Sequence, residues 1–474
     1  MIRPPTAIFK PSVGEGGHLD DPLRLDVLSA GITGAMKNKH KRAKSLNIGF
    51  VSTRFKGMDG VSLESSKWAE IFEGFHHSCF WFAGELDKDP QESMLVPEAF
   101  FQHPDNIALS RELFGVQTRA RTVTDRIYKE KEYLKEKIYA FLERFNIDLL
   151  VAENVLAIPM HIPLGVALTE VIAETGVPAI GHHHDFYWER PRFLLNAIPE
   201  ILDMAFPPDL PSMKHVVINT VAQKDLAAKT GISSHLIYNV IDFDRAKTGI
   251  DEYNKNLRAD MGFSERDVLV LQPTRVVSRK GIEQALYLVE RLRVPNLNLL
   301  ISHSPGDEGE EYFNWIKDTA QRQKVPIHFI YNRLYEERTQ TPDGRKVYTL
   351  WDVYPHTDLI TYPSLYEGFG NAFLEAILFK KPLLVNRYSV YIVDIEPKGF
   401  DVVAIDGFLT EKAVRQVEEV LNDPDRRRAM VERNFELGKK YFSYSSLKRG
   451  LSALLTSFFG TIPSGNLAGG MNGQ

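Results

Sequence analysis

Cysteine is almost missing from this chain: Cys79 stands alone among 474 residues. A disulfide within the chain is therefore excluded, and a metal site built on thiolates has no basis. No apolar run approaches the roughly 18 residues that a membrane span requires. The opening stretch, residues 1–17, also lacks the apolar core of a secretory signal. Neither sign of charge dominates, since 57 basic residues face 62 acidic ones for a net charge of −5. That balance excludes the basic excess of a nucleic-acid-binding protein, while leaving room for a local basic site that holds a phosphate. These absences together give the expectation of a cytoplasmic protein.

What is present is the composition of a globular protein, with 43% hydrophobic, 25% charged and 11% aromatic residues. A chain of 474 residues is too long for one ordinary core and suits two domains of about 200 residues each. Residues 1–45 are rich in proline, glycine and charge, and read as a flexible extension. Its basic run from Lys37 to Lys44 reads as a solvated linker. From Leu46 short apolar runs alternate with helical patterns: Asn47–Ser52, Cys79–Ala83, Asp148–Ala152, Val177–Gly181, Val216–Asn219 and Ser234–Tyr238 read as strands. A long helix is expected over 118–145, where Ile127, Leu134, Ile138, Phe141 and Phe145 recur at helical spacing. A second set of strands follows at Val268–Pro273, Leu297–Ser302, Ile327–Tyr331, Leu359–Tyr362 and Pro382–Val385, with 332–350 as a polar inserted loop or hairpin. Strand–loop–helix alternation implies parallel sheets covered by helices on both faces. The expected architecture is α/β: two Rossmann-like, doubly wound domains, 46–240 and 241–440, facing across a cleft. A final helix over 441–460 and a disordered Gly-rich tail over 461–474 complete the reading.

In such sheets ligands sit beyond the carboxyl ends of strands, so the loops there carry the argument. One is Tyr362-Pro-Ser-Leu-Tyr-Glu367-Gly-Phe369-Gly370-Asn371-Ala-Phe-Leu-Glu375. Glycine lets backbone approach a ligand closely, and a helix opening near Gly370 offers free N–H groups to a phosphate. Glu367 and Glu375 bracket that start with hydroxyl-accepting carboxylates, a combination that suits a sugar nucleotide. Either glutamate alone reads as an ordinary exposed acid. A second loop, Pro273-Thr-Arg275-Val-Val-Ser-Arg279-Lys280-Gly281, can converge Arg275 and Lys280 on one diphosphate. Its plain alternative is a solvated basic turn.

Together these strings resemble the fourth family of glycosyltransferases, a retaining family with the GT-B fold. The resemblance rests on Arg275 with Lys280 and on Glu367 with Glu375 eight residues on, and it spans roughly 46–460. It implies that Arg275 and Lys280 hold the donor diphosphate, Glu375 the ribose and Glu367 the transferred sugar. Phe369, Gly370 and Asn371 then make backbone contacts. The loop Gly57-Met-Asp59-Gly60-Val61 falls where the family approaches donor phosphates and acceptor, its alternative being a simple turn. His184-Asp185 matches a His-Asp pair common in the family. Many members carry a histidine after the preceding strand, near the sugar; here Glu153 or Asn154 occupies that place, with His161 a more distant substitute.

Trp188, Glu189, Arg190 and Arg192 are candidates for an acceptor pocket, Arg190 or Arg192 binding an acid, against packing or surface ion pairs as the alternative. The run His182-His183-His184-Asp185 invites a metal. Adjacent residues of an extended segment point to opposite faces, so they cannot all ligate one ion, and no metal or other cofactor is expected. The substrates expected are GDP-mannose or UDP-glucose and a small polar acceptor, with particular strings (DGVSLES, AENVLAIPMHIPLG, HHHDFYWER) resembling a subgroup of mannosylglucosylglycerate synthases. Homo-oligomerisation is left open. Rival readings are a GT-B glycoside phosphorylase, a sugar-nucleotide epimerase and a non-catalytic sugar-nucleotide-binding module.

Overall fold

The structure is a computed structural model, and it describes residues 45–460 apart from Met58, Lys247 and 306–309. The expectations for the N-terminal extension up to residue 44 and for the tail over 461–474 lie outside the described residues. Two parallel sheets organise the rest. The first holds β1 (Asn47–Val51), β2 (Ser78–Ala83), β3 (Ser93–Leu95), β4 (Leu149–Glu153), β5 (Ala179–His183), β6 (Met213–Val217) and β7 (Ser234–Leu236), in the order β3-β2-β1-β4-β5-β6-β7. The second holds β8 (Val268–Gln272), β9 (Leu297–Ile301) and β10 (Ile327–Phe329). Past the small hairpin of β11 (Thr339–Gln340) and β12 (Lys346–Val347) it adds β13 (Leu359–Tyr362), β14 (Leu383–Asn386) and β15 (Val403–Ile405). Its order is β10-β9-β8-β13-β14-β15.

Strand order reverses direction at β1/β4 in the first sheet and at β8/β13 in the second. Those switch points open a crevice at the carboxyl ends of the strands. The four loops that leave β1, β4, β8 and β13 are among those singled out by sequence, the fifth leaving β5.

Each sheet is buried on both faces, which explains strands that read as continuous apolar runs. On the first sheet one face carries α1 (Gly60–Gly74), with Trp68 and Phe72 against Phe50 and Val151. The other face carries α3 (Arg121–Phe145) and α4 (Ile162–Thr175). In α3 the residues Ile127, Leu134, Ile138 and Phe141 are fully buried. Each such side chain is worth about 1.5–3 kcal/mol relative to exposure. The last helix, Tyr444–Phe459, inserts Leu447, Leu451, Leu454 and Leu455 into the first sheet's core beside Ile48 and Trp68. The chain therefore passes between the sheets twice, and the two passages touch where Ile241 N–H donates to the Phe442 carbonyl at 2.9 Å.

Several boundaries differ from the sequence reading for local reasons. β5 runs on to His183, so His182 and His183 belong to the strand. β6 stops at Val217 because Asn219 turns to cap the next helix, its side chain accepting from the Ala222 N–H. The stretch 332–350 is less peripheral than its polarity implies: Val347 and Tyr348 are buried, and Tyr335 N–H donates to the Tyr348 carbonyl.

Candidate active site

The cleft between the sheets holds a cavity of about 1380 Å³. That exceeds the ordinary 300–1,000 Å³ of a site for one small ligand and suits two substrates side by side.

The wall made by the second sheet comes from two loops. After β8 the chain turns through Ser278–Lys280 to Gly281, whose φ of 61° is left-handed; a Cβ there would lie 2.5 Å from the Pro363 carbonyl oxygen. Glycine is required, because the turn must press against the loop that follows β13. That contact seats the Lys280 ammonium on the Glu367 carboxylate, both 11% exposed. Burial lowers the pKa of Lys280, with Glu367 opposing and Arg279 and Arg275 adding to the fall. Arg275 is exposed and lines the cavity.

After β13 the loop reaches Gly370, with φ 121° and a position where a Cβ would meet the Tyr388 hydroxyl at 2.6 Å. The helix Asn371–Leu378 starts there with no side-chain cap, so its first N–H groups are open to an anion. Gly370 and Asn371 line the cavity. Phe369 lines it too, its carbonyl already accepting from the Tyr388 hydroxyl at 2.7 Å.

Glu375 does not line the cavity. Its oxygens accept from Trp351 Nε1 at 3.1 Å and the Tyr354 hydroxyl at 2.8 Å, and burial raises its pKa. The ribose contact expected of it has to use lone pairs left over from those two bonds. His303, unmarked in the sequence reading, follows β9 and lines the same wall. Burial, then the charges of Arg275 and Lys280, push its pKa down to about 4, so the ring is neutral. Its place just beyond the end of a strand was the available signal.

The opposite wall is assembled from four separated segments. Asp59 does not line the cavity: its carboxylate caps α1, accepting from the Val61 and Ser62 N–H groups, and pairs with Arg54 at 3.2 Å. Gly60, the first residue of α1, does line it. Glu153 is fully buried, so it cannot stand in directly for a sugar-binding histidine. It accepts from His182 Nδ1 at 2.9 Å and lies 3.5 Å from His184 Nε2. Burial opposes its ionisation, but the two imidazoles outweigh this and lower its pKa. Conversely, burial disfavours the His184 imidazolium, and the Glu153 carboxylate more than offsets this. Asn154 sits at φ 57° and braces the adjacent strand end, accepting from His184 N–H at 3.0 Å and donating to Asp185 at 3.1 Å.

His184, Asp185 and Arg190 line the cavity, and Arg190 is paired with Asp185. Arg192 lies over the Phe193 ring; burial and then Arg190 lower its pKa. Arg111, which the sequence reading passed over, joins them from α2 (Pro104–Leu113). Among the described residues neither Arg111 nor Arg192 forms an ion pair, although the Asp185 carboxylate acts on Arg192 at longer range. His161 lies away from the cleft, capping α4.

The three consecutive histidines part as alternation requires. His183 turns to His215 at 2.8 Å, whereas His182 and His184 share a face with Glu153, their ligand atoms all within 4.8 Å. Polar bonds then tie the walls together: Asn219 Nδ2 to the Gly368 carbonyl at 2.7 Å, Tyr366 to Glu189, and the Tyr238 hydroxyl to Asp394 at 2.9 Å.

Two doubly wound sheets around such a cleft, with a basic turn and a helix start on one wall, define a GT-B glycosyltransferase. Residues 254–436 match the family described as Glycosyl transferases group 1. The chain is 32% identical to the mannosylglucosylglycerate synthase of Petrotoga mobilis over 84% of its own length and 98% of the relative's. It is 31% identical to that of Thermotoga maritima over 86% and 99%. A glycosyltransferase from Rickettsia africae has the same fold, with a TM-score of 0.63 at 13% identity, covering 88% of this chain and 99% of that one. The chain belongs to the group 1 glycosyl transferases, in the subgroup that resembles mannosylglucosylglycerate synthases. No helix among the described residues is long and apolar enough to cross a membrane.

Proposed function

We propose that the protein is a retaining hexosyltransferase that moves mannose or glucose from GDP-mannose or UDP-glucose to a small acidic acceptor of the glucosylglycerate type. The observation that carries this reading is the sorting of charge within one large cavity. Arg275, Lys280 and the uncapped helix start at Asn371 lie on one wall, and Arg111, Arg190 and Arg192 on the other. The first set suits a diphosphate; the second suits a carboxylate, for which Arg offers a bidentate fork. The names of the relatives, which combine mannosyl and glycerate, support both assignments.

In this reading the bond from the anomeric carbon to the diphosphate breaks first, leaving an oxocarbenium-like sugar. The acceptor hydroxyl attacks from the same face and gives its proton to the departing phosphate oxygen. Arg275, Lys280 and the helix start stabilise the charge that grows on the diphosphate. One such donor is typically worth about 2.7–4 kcal/mol of barrier. Glu367, held by Lys280, accepts from hydroxyls of the transferred sugar, and His303 adds a neutral ring beside the phosphates. The test is product analysis with each donor and with glucosylglycerate or its neutral amide as acceptor. An α-linked product formed from an α-linked donor, with the acid preferred, supports the reading; an inverted linkage or turnover without acceptor sinks it.

A further inference from the structure

We propose that Glu153, His182 and His184 form a binding site for one zinc-class divalent cation at the floor of the cleft. The sequence brings the three together by strand geometry alone. His182 and His184 are two residues apart on an extended segment and so face the same way. Glu153 ends the neighbouring strand directly opposite His182 in the register of β4 with β5.

The cluster balances its buried carboxylate with two imidazoles alone. Glu153 is fully buried, and no lysine or arginine pairs with it among the described residues. A carboxylate taken from water is expensive unless it is paired or ligates a metal. One of its oxygens, Oε1, is buried without a hydrogen-bond partner, and so is Nε2 of His184. The two orphaned atoms belong to adjoining side chains of one small cluster, whose ligand atoms all lie within 4.8 Å of one another.

The spacing fits a small transition-metal ion. Glu153 Oε2 lies 2.9 Å from His182 Nδ1 and 3.5 Å from His184 Nε2. Tetrahedral ligands at 2.0–2.1 Å from zinc are about 3.3–3.4 Å apart, so the two separations from Glu153 bracket the required edge, and the two imidazole nitrogens, within 4.8 Å of each other, need only a small ring movement to close on one ion. Two imidazoles and one carboxylate are a catalytic-type zinc set; magnesium and calcium prefer all-oxygen shells. The rings are already oriented: Trp68 stacks on His182 with centroids 4.1 Å apart, and Asn154 holds the His184 backbone. His184 lines the cleft, which gives the ion its entry path and leaves its fourth position to water or a sugar oxygen. The cation takes the place of the hydrogen between His182 Nδ1 and Glu153 Oε2, and the neutral His182 ring carries that hydrogen on Nε2 instead.

The experiment uses the full chain, freed of metal by chelator and titrated with Zn²⁺ alone and with Co²⁺ alone. The expected result is one equivalent of Zn²⁺ per chain and visible Co²⁺ bands of a low-coordinate nitrogen–oxygen site. Both should be lost in Glu153→Gln and His184→Asn and kept in His235→Gln. X-ray absorption on the wild-type zinc form reads the ligand shell directly even if a variant fails to fold, with two imidazoles and one carboxylate expected. Absence of stoichiometric binding, a shell without two imidazoles, or binding undiminished in folded Glu153→Gln and His184→Asn would overturn the proposal.

Discussion

On the second sheet's wall, nearly every polar group that faces the cleft comes from two short strings, Pro273–Gly281 and Tyr362–Asn371. On the first sheet's wall the corresponding groups come from Gln102, from α2, from His184 and Asp185 just beyond β5 and from the turn around Arg190. The first arrangement, proposed above for the diphosphate, needs glycine at Gly281 and Gly370 so that its loops can pack closely. The second gathers its arginines from two distant segments, Arg111 from α2 and Arg190 with Arg192 from the turn after β5. The difference teaches that the wall proposed for the donor is encoded locally and the wall proposed for the acceptor by tertiary structure.

The sharpest way to break this contrast is Lys280→Met, which removes one diphosphate donor and strands Glu367 in a nearly closed site. Turnover should fall roughly 10²–10³-fold, measured as kcat with saturating donor; a change below threefold would remove Lys280 from the mechanism. Gly370→Ala comes next. The positive φ and the contact with the Tyr388 hydroxyl should cost about 1–3 kcal/mol of stability, read by denaturant unfolding, together with weaker nucleotide binding. If the acceptor wall works through its arginines, Arg192→Ala or Arg111→Ala should raise KM for an acidic acceptor about tenfold or more, the loss of a charge-assisted hydrogen bond. KM for the neutral amide should hardly move, and equal effects on both acceptors would contradict the carboxylate assignment. Smallest is Tyr366→Phe, which removes the bond to Glu189 across the cleft at about 0.5–1.5 kcal/mol.

Acid should also discriminate between folded and unfolded chains through buried histidines on both sides. His161, His215 and His303 have pKa values pushed down to about 4 by burial. The unfolded chain, with ordinary histidines near 6.5, binds more protons in the interval between, so stability rises with pH there. It should be full above about pH 6.5 and be lost progressively as pH falls toward 4. Thermal unfolding across that range checks the sign, and His215→Asn should flatten the slope.

The central strands of both sheets were legible because buried parallel strands read as apolar runs, and the donor motifs because each is contiguous; the edge strands β3 and β15, three residues each, were too short to read. Other features were hidden by effects that operate through space. Asp59 reads as a ligand group, but a helix start claims its carboxylate. Glu375 reads as free, yet Trp351 and Tyr354 occupy it. Arg111 gave no signal, since only the packing of α2 brings it to the cavity that Arg192 also lines. The histidine run argued against a metal when taken as three ligands. With the strand extended to His183, two of those rings and Glu153 share a face, and the question reopens.

The central claim, a nucleotide-sugar diphosphate held by Arg275 and Lys280, is tested most directly by thermal stabilisation with GDP, UDP, ADP, GDP-mannose and UDP-glucose. A ligand at 100 times its dissociation constant adds about 2.7 kcal/mol, a readable shift. The account predicts a clear response to one guanine or uracil nucleotide and its sugar, lost in Arg275→Ala. Silence from all five, or a response unchanged by that substitution, would contradict it.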